Sequence, residues 1–253
     1  IYLNKAVETM YESKSDLDIA RELAPRLGLD IDLFKETEDN ILVGIGSSRD
    51  DIPDFEAMKH DGVLKIKLDE PIVSFKEQIE DPENNPFPTL SGKIEIYSDH
   101  IAELDHPMIP PIPTYVPDQE SYSAPKSETY PLQLLTTHHK TRAHSTWHNV
   151  PWMREHEPHG VWLNPKDASQ RGISQGDLVD VFNDNGRMRI PAVITERIMP
   201  GVVNVSQGAW YDPDENGIDR GGCANVLTHD NRSAGGAIPM NSSLVQVERS
   251  PQG

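Results

Sequence analysis

The sequence predicts a mainly β protein, with an α/β segment first and a closed β-barrel carrying one or two helices after it. Three observations indicate this class. After residue 131 the chain has six short apolar runs and a single clear helix signal. Turn pairs such as Gly176-Asp177 and Pro200-Gly201 separate the runs, and Asp184-Asn185-Gly186 is a strong hairpin signal. Many short strands joined by turns are typical of a barrel.

The first part of the chain has helical signals. Apolar side chains three and four residues apart predict a helix over residues 16–27, with Ser15 as its N-cap and Gly28 at its end. A short helix is expected over residues 53–59. Between them, the glycines of 44–48 break the pattern, and without a strand before them they are weak evidence for a phosphate-binding loop.

The middle of the chain is expected to be extended. Residues 94–97 alternate between apolar and other side chains and predict a short strand. Residues 107–125, here called the strap, contain six prolines. Because proline fixes φ and has no N–H to donate, the strap is expected to be a linker or to lie across a surface. We place a domain boundary near Ser127, which divides the chain into domains 1–127 and 128–253.

The barrel strands are predicted from short apolar or alternating runs, at residues 132–137, 161–163, 178–182, 188–194, 202–205 and 244–247. One helix interrupts them. Asn164 supplies its N-cap, Pro165 is suited to its first position, and Gly172 ends it.

Charge divides the chain in the same way. The 253 residues carry a formal net charge of -18, which disfavours general binding to nucleic acid. Residues 1–130 hold 28 acidic and 12 basic side chains, whereas residues 131–253 hold 13 and 11. The second part therefore tolerates an anionic ligand better than the first.

Cysteine content excludes several kinds of site. The only cysteine, Cys223, rules out an intramolecular disulfide, a CxxC zinc site and a self-contained iron–sulfur cluster. It has no basic neighbour to activate it, so an inert buried thiol is expected. No apolar stretch is long enough for a membrane span. The chain begins at Ile1, which we interpret as a processed product or a piece of a longer protein.

Six of the ten histidines lie between His138 and His159. His144 and His148, at i and i+4, raise the possibility of a metal site on a helix. The surrounding Thr, Ser, Asn and Pro residues disfavour a helix, and no HExxH pattern is present. A metal site is therefore the weaker interpretation. A Ser/His/Asp triad is also conceivable, but no GxSxG elbow supports it.

Hydrogen-bond donors concentrate in residues 138–149, here called the donor loop. They are Lys140, Arg142, His144, Ser145, Thr146, His148 and Asn149. Such a loop after an apolar strand suits a diphosphate or the polar edge of a heterocycle. An ordinary exposed loop is the alternative.

Two later segments could complete a ligand site. In residues 207–213, the Trp loop, Trp210 and Tyr211 could stack on a planar ring, or could belong to the core. In residues 221–228, the Asn loop, two glycines precede Asn225, whose amide donates and accepts.

An ordered series of motifs carries a family resemblance. Residues 131–135, 138–146, 162–168, 172–177, 199–203, 208–213 and 222–228 resemble the molybdopterin-dinucleotide-binding domain of the dimethyl sulfoxide reductase family. Residues 85–98 resemble the segment that precedes this domain in the family's catalytic subunits. Ordered motifs over this length are far more specific than any one of them.

The resemblance implies a double-psi β-barrel that helps to hold a bis(molybdopterin guanine dinucleotide) cofactor with molybdenum or tungsten. The implied contacts to the pterin and diphosphate come from the donor loop, at Lys140, Thr141, Arg142, His144, Ser145 and Thr146. Asn164 and Asp167 are placed where a guanine edge could be read, and Trp210, Tyr211, Asn225 and Asn241 reach the cofactor from later loops. Thr141 stands where the family often has glycine, and its side chain limits how closely that backbone can approach the cofactor.

The resemblance also indicates what the chain lacks. In this family the protein ligand of the metal and the cysteines of the 4Fe-4S cluster lie upstream of the matched segments. We therefore expect no catalytic residue and no metal ligand here, and a C-terminal third of a catalytic subunit that is inactive alone.

The implied activity is reduction of dimethyl sulfoxide or a related S- or N-oxide in anaerobic respiration. The implied partners are the rest of the catalytic subunit, an iron–sulfur electron-transfer subunit and a membrane anchor, with export to the periplasmic or outer face. A selenate- or nitrate-reductase-like activity, or a non-enzymatic barrel that binds a nucleotide or a protein, are the alternatives.

Overall fold

The computed structural model describes residues 1–46, 55–118 and 120–251. The chain forms two compact units, Ile1–Lys93 and Ile94–Gly253. The boundary expected near Ser127 stays a prediction.

The first unit is helical, with α1 Asp16–Arg26, α2 Glu38–Gly46, α3 Phe55–Asp61 and α4 Lys76–Glu80, and a 3₁₀ turn at Asp32–Lys35. The Ser15 hydroxyl accepts from the Asp18 amide at 3.1 Å, and Gly28 has a φ of 72°, as the first predicted helix requires. The helix α2 continues to Gly46, where the sequence predicts a break. The predicted start of the next helix at Pro53 lies outside the described residues.

The first unit has little core of its own. Among its described residues, Ala24 is the one apolar side chain that is buried. Large apolar side chains such as Leu3, Ile45 and Ile72 are exposed. Because a stable domain must bury its apolar face, this unit is suited to pack against further protein.

The second unit begins without the predicted strand at residues 94–97. That prediction is wrong: Ile94 and Ile96 are about three-quarters exposed, at 73% and 74%, and the described residues provide no paired strand beside them. An alternating pattern alone does not make a strand, since its amide groups need a ladder partner. The helix α5 follows at Asp99–Glu103, capped by Ser98.

The strap lies against the barrel unit to which it belongs. The carboxylate of Glu120, which is 6% exposed, accepts from the Leu244 amide at 3.3 Å and from Lys126 Nζ at 2.6 Å. The strap also lines a cavity of about 590 Å³ together with Gln133 and Asn241. The prediction of a segment laid across a surface agrees with these contacts.

Six strands close the predicted barrel, namely β1 Leu132–Leu135, β2 Val161–Leu163, β3 Leu178–Phe182, β4 Arg187–Ile194, β5 Val202–Val205 and β6 Leu244–Arg249. Their order around it is β1-β5-β2-β4-β3-β6. The pairs β1–β5 and β2–β4 are parallel, and the other four pairs are antiparallel. All six predicted runs are therefore strands.

The barrel core consists of buried side chains of these strands together with Leu227, which lies between β5 and β6. The largest completely buried ones are Leu132, Leu134, Leu163, Met188, Leu227, Leu244, Val161, Val179, Val181, Val203, Val205 and Val245. Each contributes roughly 1.5–3 kcal/mol through burial of its apolar surface. This core makes the barrel a rigid support for its loops.

Two helices lie among the strands, α6 Pro151–His156 and α7 Pro165–Gln170. The second is the predicted one: the Asn164 side chain accepts from the Lys166 amide at 3.0 Å, and Gly172 has a φ of 62°. In the part of the chain that the structure describes, no helix combines the length and apolar character needed to cross a membrane.

Candidate functional site

The donor loop is fixed to the end of β5. Asn204, the third residue of β5, is 3% exposed, and its Oδ1 accepts from the Thr137 amide at 3.2 Å and the Thr137 hydroxyl at 2.8 Å. The Gln207 amide donates to the Thr137 carbonyl at 3.0 Å. The loop therefore starts from a rigid point at one end of the barrel.

A tight turn gives the donor loop its shape. The Thr146 amide donates to the Ala143 carbonyl at 3.0 Å, and His144 within the turn has a φ of 53°. The backbone of the Trp loop approaches this turn closely, because a Cβ on Gly208 would lie 1.8 Å from the His144 carbonyl oxygen. Only glycine fits at position 208, where φ is 89°.

Arg142 lies at the centre of the site and is 8% exposed. Its Nη1 donates to His148 Nδ1 at 3.1 Å. Its Nη2 donates to His159 Nδ1 at 3.3 Å and to the carbonyls of Ser206 at 3.4 Å and Gln207 at 3.1 Å. Because a guanidinium has donors only, the two imidazole nitrogens that face Arg142 carry no proton and accept from it.

No carboxylate of the described residues pairs with Arg142, and its buried Nε has no hydrogen-bond partner among them. Burial lowers the pKa of the guanidinium below its ordinary value. A buried cation without a counter-charge is costly, so an anion bound here would be favoured.

His159 connects Arg142 to the Asn loop. Its Nε2 lies 3.0 Å from the Gly222 carbonyl oxygen, which can only accept, so Nε2 carries the proton and Nδ1 accepts from Arg142. Burial, the largest cause, together with the nearby Arg142 charge, lowers the pKa of His159 to about 4. Burial and the same charge also lower the pKa values of His139 and His148.

One buried carboxylate organises the Trp loop and the Asn loop. Asp219 has no exposed surface and accepts from the amides of Asp212 at 2.8 Å, Gly221 at 2.9 Å and Cys223 at 2.6 Å. Trp210, about half exposed, donates from its indole N–H to the Ser145 carbonyl at 2.9 Å. Asp219 therefore holds both loops beside the donor loop.

A cleft of about 270 Å³ opens next to these groups. His159 and Ser206, both partners of Arg142, line it together with Lys140. Arg197 also lines it, 4.7 Å from the Trp162 ring centroid and without a carboxylate partner among the described residues. Lys140 lies 3.8 Å from Glu157. Glu157 lines the cleft as well, so its charged lining is two basic side chains and one acidic one, in a protein of net charge -18.

Within the donor loop, His148 contacts Arg142, and the other predicted residues make separate contacts. The Thr141 hydroxyl and backbone amide hydrogen-bond to His139 Nδ1, at 3.1 and 3.3 Å. His144, Ser145 and Thr146 form the exposed turn.

Asn164 and Asp167 are not near this group. Asn164 donates to the Ile198 carbonyl at 2.7 Å, and Asp167 accepts from the Gly201 amide at 2.8 Å. Gly201 precedes β5, whereas Arg142 contacts the residues after it. Four strand residues separate the two ends by roughly 13 Å. The guanine-reading role of this pair stays a prediction.

The remaining predicted residues occupy two other places. Tyr211 and the exposed Asn225 line one shallow depression. Asn241 lies by the strap, where its Oδ1 accepts from the Thr136 amide at 2.8 Å. Their cofactor contacts stay predictions.

Sequence reasoning missed Asn204, His159, Arg197 and Asp219 as parts of the site. A signal existed for His159, because it belongs to the histidine-rich segment. The other three are single polar residues beside or within apolar or glycine-rich runs, and no spacing rule identifies them. The weaker metal hypothesis receives no support, since no group of three or more potential ligands is close enough within the described part of the chain.

Comparison with known proteins agrees with this geometry. Residues 132–243 match the family model described as "Molydopterin dinucleotide binding domain". The chain is 39% identical to "Dimethyl sulfoxide reductase DmsA" of Escherichia coli K12 over 263 residues, which cover 98% of this chain and 32% of that protein. It is 34% identical to "Dimethyl sulfoxide/trimethylamine N-oxide reductase" of Cereibacter sphaeroides, over 90% of this chain and 30% of that protein.

Among solved structures, the acetylene hydratase of Pelobacter acetylenicus superposes with a TM-score of 0.68 at 20% identity, over 98% of this chain and 34% of that one. At this identity the likeness concerns the fold. The barrel is a double-psi β-barrel, as the resemblance implied.

The fold and site define a molybdopterin-dinucleotide-binding barrel with an accompanying helical unit. The chain spans about a third of the length of the curated relatives it matches. It belongs to the dimethyl sulfoxide reductase family.

Proposed function

We propose that this chain helps to bind bis(molybdopterin guanine dinucleotide) within an oxidoreductase that reduces dimethyl sulfoxide or a related S- or N-oxide. One observation carries the binding proposal. Arg142 is a buried guanidinium with no carboxylate partner and an unused Nε among the described residues. A diphosphate oxygen supplies the missing negative charge and the missing acceptor.

The residues of the site fit such a group. Arg142 contributes a fixed charge, and Lys140 and Arg197 add two more at the neighbouring cleft. The turn at residues 143–146 and the indole of Trp210 present further polar and stacking groups. This chain's residues bind, orient and neutralise, whereas the bound cofactor supplies the oxygen-atom and electron transfer.

The rest of the enzyme is expected to complete the active centre. The exposed apolar side chains of the first unit are suited to pack against the remaining part of the catalytic subunit. An iron–sulfur subunit and a membrane anchor would then deliver electrons. By resemblance alone, the enzyme would be exported and held at the membrane surface by these subunits. The metal ligand and the 4Fe-4S cluster would lie in that remaining part, and the chain alone would be inactive.

Calorimetric titration with GDP, and with guanosine as the phosphate-free control, tests the binding. GDP should bind and guanosine should bind more weakly. Arg142→Ala should reduce GDP affinity by about 1.5–3 kcal/mol, the contribution of a charge-assisted hydrogen bond. The matched control is Arg154→Ala, an exposed arginine of α6. Equal GDP affinity for Arg142→Ala and the unmodified chain would remove Arg142 from the site.

Activity is tested separately. The chain reconstituted with molybdopterin guanine dinucleotide and assayed with dimethyl sulfoxide should show no turnover. Turnover would contradict the proposal that the remainder of the subunit is required. If the chain binds neither GDP nor the cofactor, the result would favour the alternative function, a barrel that binds a protein partner.

A further inference from the structure

His159 contacts two of the loops that build the site. Its Nδ1 accepts from Arg142 of the donor loop, and its Nε2 donates to the Gly222 carbonyl of the Asn loop. The fit around the ring is tight, because a Cβ on Gly222 would lie 2.5 Å from Nε2. In this orientation one tautomer, with the proton on Nε2, satisfies both neighbours.

The hydrogen-bond chemistry makes the ring's protonation state decisive. A guanidinium has donors only, so a protonated imidazole would turn its Nδ1–H toward another N–H. Arg142 is the fixed charge that faces the ring. The titratable groups near it are His139, whose ring contacts it, and His148. No carboxylate of the described residues pairs with it. The surroundings therefore favour the neutral ring, and burial, together with these charges, lowers its pKa to about 4.

We propose that His159 is a positioning residue: its neutral Nε2–H tautomer, fixed by Gly222, orients the Arg142 guanidinium toward the bound diphosphate. The inference rests on the proposed function, since it assigns the diphosphate to Arg142. It adds that His159 influences the affinity for the diphosphate through Arg142. It also makes the Asn loop and the donor loop a single unit.

Two substitutions separate the two contacts. In His159→Asn, Oδ1 replaces Nδ1 and can still accept from Arg142, but nothing reaches Gly222. In His159→Gln, the amide reaches the Gly222 carbonyl, but the acceptor at Nδ1 is lost. The control is His156→Gln, an exposed histidine of the same segment.

The first measurement is the affinity of each full 253-residue variant for inorganic pyrophosphate at pH 7.5, with its melting temperature. His159→Gln should bind about tenfold more weakly, because a hydrogen bond to a charged group is lost. His159→Asn should stay within about threefold of the unmodified chain, as should His156→Gln. The proposal would be overturned if the loss of affinity across the variants matched the loss in melting temperature and did not depend on whether an acceptor remains at the position of Nδ1.

The second measurement is the ¹⁵N spectrum of the His159 ring, which reports the tautomer without any ligand. The ring should be neutral and protonated on Nε2 from pH 8 down to about pH 5. A cationic ring at pH 7, or a proton on Nδ1, would refute the positioning role. If the unmodified chain binds neither pyrophosphate nor GDP, the cofactor site itself is wrong, and the ring spectrum still decides the geometry around His159.

Discussion

Arg142 Nη2 lies 3.3 Å from Nδ1 of His159, and this contact joins the one buried cation of the site to a ring that must stay neutral. The two residues are 17 positions apart in the sequence. The barrel brings them together because Gly160 directly precedes β2, whose first residue, Val161, pairs with Val205 at the end of β5. Arg142 reaches the carbonyls just after that end.

The first prediction concerns acid sensitivity. The pKa of His159 is about 4 in the folded chain and about 6.5 unfolded. Between these values the unfolded state binds more protons, so the free energy of unfolding falls as the pH is lowered through this window. The full loss from this residue is about 3 kcal/mol. Urea unfolding at pH 7.5 and pH 4 should show that His159→Asn removes this part of the pH dependence.

The control for this prediction is His156→Asn, which should keep the acid sensitivity of the unmodified chain. His139 and His148 have pKa values lowered by burial and contribute in the same direction in every variant. The difference between the two substitutions therefore isolates His159. Identical pH dependence in both would contradict the prediction.

The second prediction concerns the close approach of the Trp loop to the donor loop. Gly208 and Gly217 have similar φ values of 89° and 76°, but a Cβ at 217 meets nothing within 4 Å. Gly217→Ala should therefore cost about 1 kcal/mol of backbone strain. Gly208→Ala should cost roughly 2 kcal/mol more, because the Cβ would overlap the His144 carbonyl. Chemical denaturation of both variants measures this difference, and equal losses would show that the two loops separate freely.

The sequence was sufficient for the parts of the fold that local interactions determine. Strands such as β3 and β5 follow from short apolar runs between turn residues, and the start of α7 follows from Asn164 and Pro165. The strand order could not be derived from composition or spacing, because it depends on pairings between distant segments. Likewise the lone alternation at residues 94–97 has no paired strand among the described residues.

The site was predictable to a similar degree. The donor loop was identified from its concentration of donors, and the structure shows His148 of this loop in contact with Arg142. The cofactor contacts of the loop stay predictions. Asn164 and Asp167 were assigned by resemblance to a guanine edge, and that role stays a prediction. In the structure their side chains hydrogen-bond to the backbone of Ile198 and Gly201. Asp219 carries no local pattern, since its three donors are amides that only the folded loops bring together.

The third prediction concerns Asp219. Replacing it by Asn keeps the shape but removes the charge and turns an N–H₂ group toward at least one backbone N–H. Hydrogen bonds to charged groups contribute about 1.5–3 kcal/mol each, so Asp219→Asn should lower the free energy of unfolding by about 3 kcal/mol or more. The exposed Asp230→Asn is the control and should change it by less than about 0.5 kcal/mol. A loss below about 1 kcal/mol for Asp219→Asn would show that the two loops do not depend on this carboxylate.

The fourth prediction concerns the attachment of the strap to the barrel. One carboxylate oxygen of Glu120 accepts from Lys126 Nζ, and the other accepts from the Leu244 amide at the start of β6. Glu120→Gln keeps a single acceptor oxygen, so one of the two contacts must be lost. The expected cost is about 1–2 kcal/mol, less than for a completely buried pair because the Lys126 side chain is 39% exposed. Amide exchange at Leu244 should accelerate, whereas the exposed Glu128→Gln should leave it unchanged. Unaltered exchange in Glu120→Gln would mean that the strap is held by its apolar contacts alone.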